Sequence, residues 1–170
     1  MWRLPSGEDS QPCRVRERLG DSYSQTIEFP NLDRLPGWAK DLLEEPVARL
    51  GLLDPRGAPR VLPVTFAVAG ASLWSAVDRK PKRREGEELA RVRWLRRDPR
   101  GALTVDRYRE DWRDLAWLQV LGEVRVVPVE EGAAALDALT RRYPAYREEP
   151  PPGPLLELRP RRCLCWRAAG

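Results

Sequence analysis

Three strand-like runs joined by very short connections constrain the fold of this 170-residue chain more than any other feature. Residues 47–53 and 59–69 are rich in apolar side chains, and the turn-forming sequence Asp-Pro-Arg-Gly at 54–57 lies between them. Gly70 then turns the chain into a third run, residues 72–77. Connections this short join antiparallel neighbours, because a parallel pair needs a crossover of about a dozen residues or more. The sequence therefore predicts an antiparallel meander.

Three further strands and three short helices complete the predicted elements. The strands are predicted at residues 101–108, 115–129 and 155–166, and the helices at residues 35–45, 87–97 and 130–143. Gly122, inside the longest strand, predicts a bulge or a bend at a barrel corner. Six strands with interspersed short helices and hairpin connections favour a mainly β fold, a small antiparallel barrel.

Two segments are predicted to lie outside this packed structure. Residues 1–30 mix proline, serine, glycine and charge without periodicity, so we expect a flexible N-terminal extension before a single domain at residues 31–170. Residues 144–154 contain five prolines, which predicts an extended, semi-rigid connection rather than a packed element.

The composition excludes much catalytic chemistry, because the chain has three cysteines and no histidine. Ser-His-Asp and Cys-His nucleophiles and a histidine-ligated haem are ruled out, and no metal site is expected. An enzyme of this composition must take its chemistry from an organic cofactor, with the protein supplying binding and orientation.

The location of the protein is predicted from two further features of the sequence. No apolar stretch approaches the roughly 18 residues of a membrane-spanning helix. Residues 1–20 have scattered charges and lack the apolar centre of a signal peptide. We therefore expect a cytoplasmic protein that does not bind membranes.

A basic loop at residues 78–84 separates the third strand from the helix predicted at 87–97. Five of the six residues from 79 to 84 are cationic, and the loop holds two of the three lysines in the chain, Lys80 and Lys82. A strand that leads through a basic loop into a helix is a suitable geometry for a phosphate held by cations and backbone amides. The alternative interpretation is a solvated basic turn.

The positive charge is local rather than general. The whole chain carries a net charge of +4, whereas residues 79–100 alone carry six more basic than acidic side chains. Trp94 is the only aromatic residue in that stretch, so the interleaved aromatics of a nucleic-acid stacking surface are missing. We expect no nucleic-acid binding and favour a small phosphorylated ligand.

Three ordered motifs resemble those of the pyridoxamine 5′-phosphate oxidase-related proteins. They are Val-Leu-Pro-Val-Thr-Phe-Ala at 61–67, Trp-Ser-Ala-Val-Asp-Arg-Lys-Pro-Lys-Arg at 74–83 and Leu-Thr-Val-Asp at 103–106. The resemblance spans about residues 35–166 and is greatest to the branch of deazaflavin-dependent oxidoreductases. It implies a six-stranded antiparallel split β-barrel of the FMN-binding type. It also implies a homodimer whose two subunits form a groove for FMN or for the deazaflavin coenzyme F420.

The resemblance also implies which residues bind the cofactor. They are Val64, Thr65 and Phe66 beside the ring system, Ser75, Ala76 and Val77 along a neighbouring strand edge, and Lys80, Lys82 and Arg83 at the phosphate. Burial in the core explains Val64 and Phe66 equally well, because they alternate with Thr65. Trp112 and Trp117 either cover the ring from the partner subunit or pack in the protein, and Tyr108 is either a stacking residue or an edge-strand aromatic.

These features lead to the hypothesis of an oxidoreductase that transfers hydride between F420 and a small unsaturated or heteroaromatic acceptor. No catalytic residue is assigned, because the hydride belongs to the cofactor and the protein's contribution is positional. Two alternatives remain open. One is a flavin reductase or oxidase with FMN in the same groove, and the other is a non-catalytic protein that carries a flavin or a tetrapyrrole.

Overall fold

The computed structural model describes residues 26–78 and 89–168, which form one antiparallel sheet with short helices. The eight strands of these residues are β1 (Ile27–Phe29), β2 (Ala48–Leu53), β3 (Pro59–Val64), β4 (Ala67–Ala69), β5 (Ser72–Ala76), β6 (Arg100–Arg107), β7 (Ala116–Val127) and β8 (Leu155–Arg167). The α-helices are α1 (Gly37–Asp41), α2 (Ala90–Arg97), α3 (Ala133–Arg142) and α4 (Pro144–Glu148). Single 3₁₀ turns lie at Leu42–Glu44, Trp112–Asp114 and Val129–Glu131.

The sheet curls so that its two end strands approach each other. Its strand order is β3-β2-β6-β7-β8-β5-β4, with β1 paired to β8 beside this path. The end strands β3 and β4 follow each other in the chain, with only Thr65 and Phe66 between them. Since two residues span little more than about 7 Å, the two ends of the sheet must approach each other there. The predicted mainly β class and antiparallel split barrel are confirmed.

The number of strands is eight rather than the expected six, for two local reasons. The run predicted at residues 59–69 is two strands, because Thr65 and Phe66 leave the ladder between β3 and β4. The second addition is β1, in which Ile27 pairs with Cys165 and Phe29 with Cys163. The described part of the predicted N-terminal extension is thus attached to the barrel by strand pairing, and residues 1–25 lie outside the described residues.

Two clusters of buried side chains hold the fold together, one on each side of β8. Leu156 and Leu158 point into the main core inside the barrel, where they meet Phe66. Leu155 points the other way, into a smaller cluster with Leu139 of α3 and Tyr146 of α4. Helix α3 therefore packs on β4 and β5 on the side away from the main core, and α4 packs against α3.

The predicted bulge at Gly122 is confirmed. The register between β7 and β8 shifts between Leu121 and Gly122. A Cβ atom at Gly122 would lie 1.9 Å from the carbonyl oxygen of Arg159, so no larger residue fits without moving the backbone. The shift bends the longest strand pair of the sheet, which helps the sheet to close on itself.

The prediction for residues 144–154 is wrong. The segment begins with α4, and Tyr146 within it is 7% exposed and packs in the smaller core cluster. Pro144 occupies the first turn of α4, where a missing N–H costs nothing because that group has no partner inside a helix. The prolines therefore frame a packed helical turn instead of preventing one.

The three predicted helices are present with adjusted bounds. The helix expected at 35–45 is α1 followed by a 3₁₀ turn, and that at 130–143 is α3 preceded by one. The start of the helix expected at 87–97 lies outside the described residues, and α2 is described from Ala90. Among the described helices, none is long and apolar enough to cross a membrane.

Candidate functional site

A partly open cavity lies where the two ends of the curled sheet approach each other. Its volume is about 170 Å³. The lining residues come from the ends of β3 and β5, from the segment before β2 and from α2: Val47, Pro63, Val64, Thr65, Ser75, Ala76, Asp78 and Arg91. The cavity therefore exists only because the sheet curls, since β3 and β5 are distant in the strand order.

Four of the nine predicted cofactor-binding residues converge on this cavity. They are Val64, Thr65, Ser75 and Ala76. Phe66 and Val77 lie nearby in the chain, but their side chains are fully buried, at 0% and 1% exposure. The remaining three, Lys80, Lys82 and Arg83, lie outside the described residues. The residues that the structure does describe thus divide into a cavity wall and the core behind it.

A pair of hydroxyl groups connects two walls of the cavity. The hydroxyl of Thr65 lies 2.7 Å from that of Tyr146, and either one can donate. The Tyr146 hydroxyl also lies 3.5 Å from Asp78 Oδ2, which can only accept while ionised. When Tyr146 donates to Thr65, the Thr65 proton is free for a ligand; when Tyr146 donates to Asp78, Thr65 offers a lone pair instead. The pair can therefore present either a donor or an acceptor to the cavity.

A second tyrosine satisfies the backbone where the ladder is interrupted. The Phe66 N–H donates to the Tyr143 hydroxyl at 3.0 Å. The same hydroxyl lies 2.8 Å from the Phe66 carbonyl oxygen and 2.9 Å from that of Pro46, and its one proton serves either acceptor. Burial raises the pKa of Tyr143, so the hydroxyl keeps its proton at neutral pH. Tyr143 thus replaces the ladder hydrogen bonds that Phe66 gives up.

Arg91 differs from the other polar groups of the site because it is incompletely paired. Its Nε atom is buried and has no hydrogen-bond partner among the described residues. Burial lowers the pKa of Arg91, although the nearby Asp78 carboxylate and Tyr146 favour its charged form. The site therefore contains a cation whose burial its neighbours do not fully offset.

Sequence reasoning missed the tyrosines and the arginine of this site. Tyr143 directly precedes the proline-rich run at residues 144–154, and Tyr146 lies within it; that run was predicted to be an unpacked connection. Arg91 was not singled out among the arginines of its helix. A usable signal existed, since Arg91 lies four residues before the buried Leu95 and so shares its face of α2.

The aromatic residues that were considered for covering the ring lie away from the cavity wall. Tyr108 and Trp112, in the connection between β6 and β7, are 68% and 79% exposed. Trp117 is half-buried and pairs across the strands with Trp166. In a single chain none of the three lines the cavity.

The buried thiols provide no alternative reactive centre. Cys163 and Cys165 are both free and fully buried on the core side of β8. Burial, with a smaller contribution from Cys165, raises the pKa of Cys163 to about 11. A thiol in this state is protonated at neutral pH and inert as a nucleophile.

Comparison with known proteins places the fold. The model of the family described as pyridoxamine 5′-phosphate oxidase matches residues 37–167. No curated protein matches the chain. The chain is similar to the solved structure of a heme binding protein from Mycobacterium smegmatis, with 20% identity and a TM-score of 0.62 over 80% of this chain and 56% of that one.

Two further solved structures share the fold over almost their whole length. One is a FAD-binding protein from Mesorhizobium loti, with 18% identity and a TM-score of 0.60 over 85% of this chain and 99% of that one. The other is an F420 reductase, with 24% identity and a TM-score of 0.53 over 80% of this chain and 97% of that one. Identities this low establish a common fold, on which each protein places its own site.

Proposed function

Because the chain belongs to the pyridoxamine 5′-phosphate oxidase family, we propose that it is an oxidoreductase that binds the deazaflavin coenzyme F420. In this proposal it transfers hydride from the coenzyme to a small unsaturated or heteroaromatic acceptor. The observation that carries the proposal is the convergence of Val64, Thr65, Ser75 and Ala76 on one cavity at the split of the barrel. These residues come from two distant strands of the sheet.

The chemistry of the cavity wall suits the edge of a polar ring system. Val64 and Ala76 are apolar, whereas Thr65 and Ser75 carry hydroxyl groups. An apolar surface with a few placed hydrogen-bonding groups is the usual lining of a cofactor site. When bound, the coenzyme supplies the hydride. Lys80, Lys82 and Arg83 then bind its phosphate, and Phe66 and Val77 support the wall from behind.

The protein's own residues orient the ring and control one proton position. The Thr65 hydroxyl contacts the polar edge of the ring, and Tyr146 sets the direction of that hydroxyl through the 2.7 Å contact. Tyr143 fixes the backbone at Phe66, which keeps Thr65 in place. Such positioning is the main contribution that a protein makes when a cofactor carries the reactive atoms.

We also propose that the protein forms a homodimer through the outer surface of β6, β7 and β8. Trp117 and Trp166 form a cross-strand pair there, and Gln119 lies opposite Leu164. All four are only half-buried, in the middle of the sheet. A second copy on this surface would bury them and bring the exposed Trp112 towards the partner's cavity. Sedimentation velocity tests this part of the proposal, and a monomer at micromolar concentration contradicts it.

Parallel titrations with F420 and with FMN test the proposed function. The apoprotein is titrated with each cofactor while tryptophan and cofactor fluorescence are followed. We expect micromolar or tighter binding of F420 and weaker binding of FMN. Reduced F420 bound to the protein should then be oxidised by a nitroaromatic or enone acceptor. Binding of neither cofactor refutes the proposal, and a preference for FMN moves the protein to the flavin-dependent alternative.

A cofactor carrier without turnover is the second candidate function. It is favoured by one observation, the similarity of the fold to a heme binding protein. The chain contains no histidine, so a haem would need another axial ligand. Tight binding of a flavin or tetrapyrrole, with no acceptor reduced by any donor, supports this alternative.

A further inference from the structure

Arg91 is the only residue on the cavity wall that the described structure leaves with a buried, unpaired donor. Its Nε–H is inaccessible to solvent and has no acceptor among the described residues. Buried side-chain donors in proteins are almost always paired, so each exception requires an explanation. An unpaired donor of this kind destabilises the folded protein unless a ligand completes it.

The neighbours of Arg91 compensate its charge only in part. Asp78 lines the same cavity, and its carboxylate attracts the guanidinium. Tyr146 adds a smaller attraction, but only as the phenolate that forms at high pH. Burial still outweighs both, because the pKa of Arg91 is lowered rather than raised. The exposed Arg100 shows the opposite direction, since its bidentate contact with Asp98 raises its pKa. An additional anionic group near the Arg91 guanidinium would therefore stabilise its charged form.

We propose that Arg91 binds an oxyanion, a phosphate or carboxylate group, inside the cavity between β3, β5 and α2. The guanidinium can offer Nε–H and a terminal N–H side by side, the arrangement that suits two oxygens of one anion. The hydroxyl of Ser75 lines the same cavity and supplies a further donor. The volume of about 170 Å³ is part of the roughly 300–1,000 Å³ that a complete cofactor site takes, and this part has room for one anionic group.

The anion has two chemically equivalent sources. It is either the phosphate of the bound cofactor or an anionic group of a second molecule, such as the hydride acceptor. The assignment to either source rests on the proposed function, whereas the anion site itself does not. Inorganic phosphate therefore tests the site without any cofactor.

The first experiment compares two variants of the same helix. Arg91→Met removes the cavity cation, and Arg93→Met removes an exposed arginine two residues away with the same change in charge. Thermal unfolding is followed as inorganic phosphate replaces chloride at constant ionic strength. We expect phosphate to raise the Tm of the wild-type and Arg93→Met proteins by several degrees more than that of Arg91→Met, because an anion bound to the native state adds to the stabilisation that phosphate gives any folded protein.

The same variants distinguish a binding role from a structural one. If Arg91 is retained for a ligand, Arg91→Met without anion is at least as stable as the wild type, since it removes an unpaired buried donor. A Tm several degrees below that of Arg93→Met, with no difference in the response to phosphate, overturns the proposal. Arg91→Gln, which keeps a polar contact for Asp78, serves if the methionine variant does not fold.

Cofactor titrations then identify the source of the anion. Whichever of F420 and FMN binds is compared with its phosphate-free chromophore, the deazariboflavin or riboflavin. Loss of a charge-assisted contact to the cofactor phosphate weakens the phosphorylated form about tenfold or more in Arg91→Met and spares the phosphate-free form. If both forms bind the variant normally while the phosphate response is lost, the anion belongs to the second molecule.

The outcomes separate the two proposals. A phosphate response that requires Arg91, in a protein that binds neither cofactor, supports the anion site and refutes the proposed function. Normal cofactor binding together with an equal phosphate response in all three proteins refutes the anion site and leaves the proposed function in place.

Discussion

Two charged side chains near opposite ends of β5, the buried Glu157 and the half-buried Arg91, differ in how completely they are paired. At the start of the strand, Glu157 of β8 is 7% exposed and accepts a hydrogen bond from the Ser72 hydroxyl at 3.1 Å. Arg125 and Arg159 each approach its other oxygen at 3.1 Å. At the cavity beyond the other end of the strand, Arg91 of α2 has partial compensation from Asp78 and one buried donor without a partner among the described residues.

The difference indicates what each group contributes. Glu157 joins β5, β7 and β8 through its contacts with Ser72, Arg125 and Arg159, so its network belongs to the fold. Arg91 contributes a partly compensated cation to a cavity, a combination that favours a binding role. A buried charge by itself is therefore no sign of function, whereas a charged group with an unpaired buried donor in a cavity favours one.

Glu157→Ala should have the largest effect on stability. We expect the free energy of unfolding to fall by about 2–3 kcal/mol, because the buried Ser72 hydroxyl and two arginines lose a charged partner. Arg125 and Arg159 are about half exposed and can turn to solvent, which keeps the loss below the maximum for a fully buried pair. Urea unfolding measures the change.

Glu123→Ala is the matched control for that comparison. Glu123 also accepts from an arginine, Arg161, but both side chains are exposed, at 49% and 71%. We expect a change below about 0.5 kcal/mol. Equal losses for the two glutamates would mean that the Glu157 network does not hold the sheet together.

Tyr143→Phe should have an intermediate effect and should also reach the cavity. It leaves the Phe66 N–H without its acceptor at the ladder break, which costs about 1–2 kcal/mol. Since Thr65 adjoins this backbone, cofactor affinity should fall as well. Urea unfolding measures the change in stability, and fluorescence titration measures the change in affinity. Unchanged affinity in the destabilised variant would mean that the hydrogen bonds of Tyr143 support the fold but not the cofactor site.

Arg141→Gln should have the smallest effect. Arg141 pairs with Asp137 one helical turn away, and both side chains are more than half exposed. Such pairs contribute about 0.5 kcal/mol or less. A loss above about 1 kcal/mol in urea unfolding would show that exposed and buried pairs in this protein are not as different as the comparison requires.

The sequence predicted the strands well because turns and alternation are local signals. Asp54 and Gly57 mark the first hairpin, and its turn closes with a hydrogen bond from Gly57 N–H to the Asp54 carbonyl. The break at Thr65 escaped prediction because Val64, Phe66 and Ala67 are all apolar and the run looks continuous. No local sequence pattern distinguishes a residue that leaves the ladder, such as Thr65, from one that continues the strand.

Only the part of the candidate site that lies in local sequence motifs could be predicted. The resemblance supplied Thr65 and Ser75 together, since both lie in the quoted motifs. Tyr146 and Arg91 reach the cavity only through tertiary packing, one from a helical turn among prolines and the other from the inner side of α2. Their contribution depends on the curl of the whole sheet, which a local window of sequence does not report.

The central position of β8 has a consequence for the synthesis of the protein. Of the described strands, β8 is the last to leave the ribosome, yet it pairs with β1, β5 and β7. Until it emerges, the nascent chain holds two sheet fragments that no ladder joins, β3-β2-β6-β7 and β5-β4, and the single strand β1. The two strands that border the cavity, β3 and β5, belong to different fragments. On the proposed function, cofactor capture therefore follows the pairing of β8, and a ribosome-stalled chain that lacks β8 should not bind F420 or FMN.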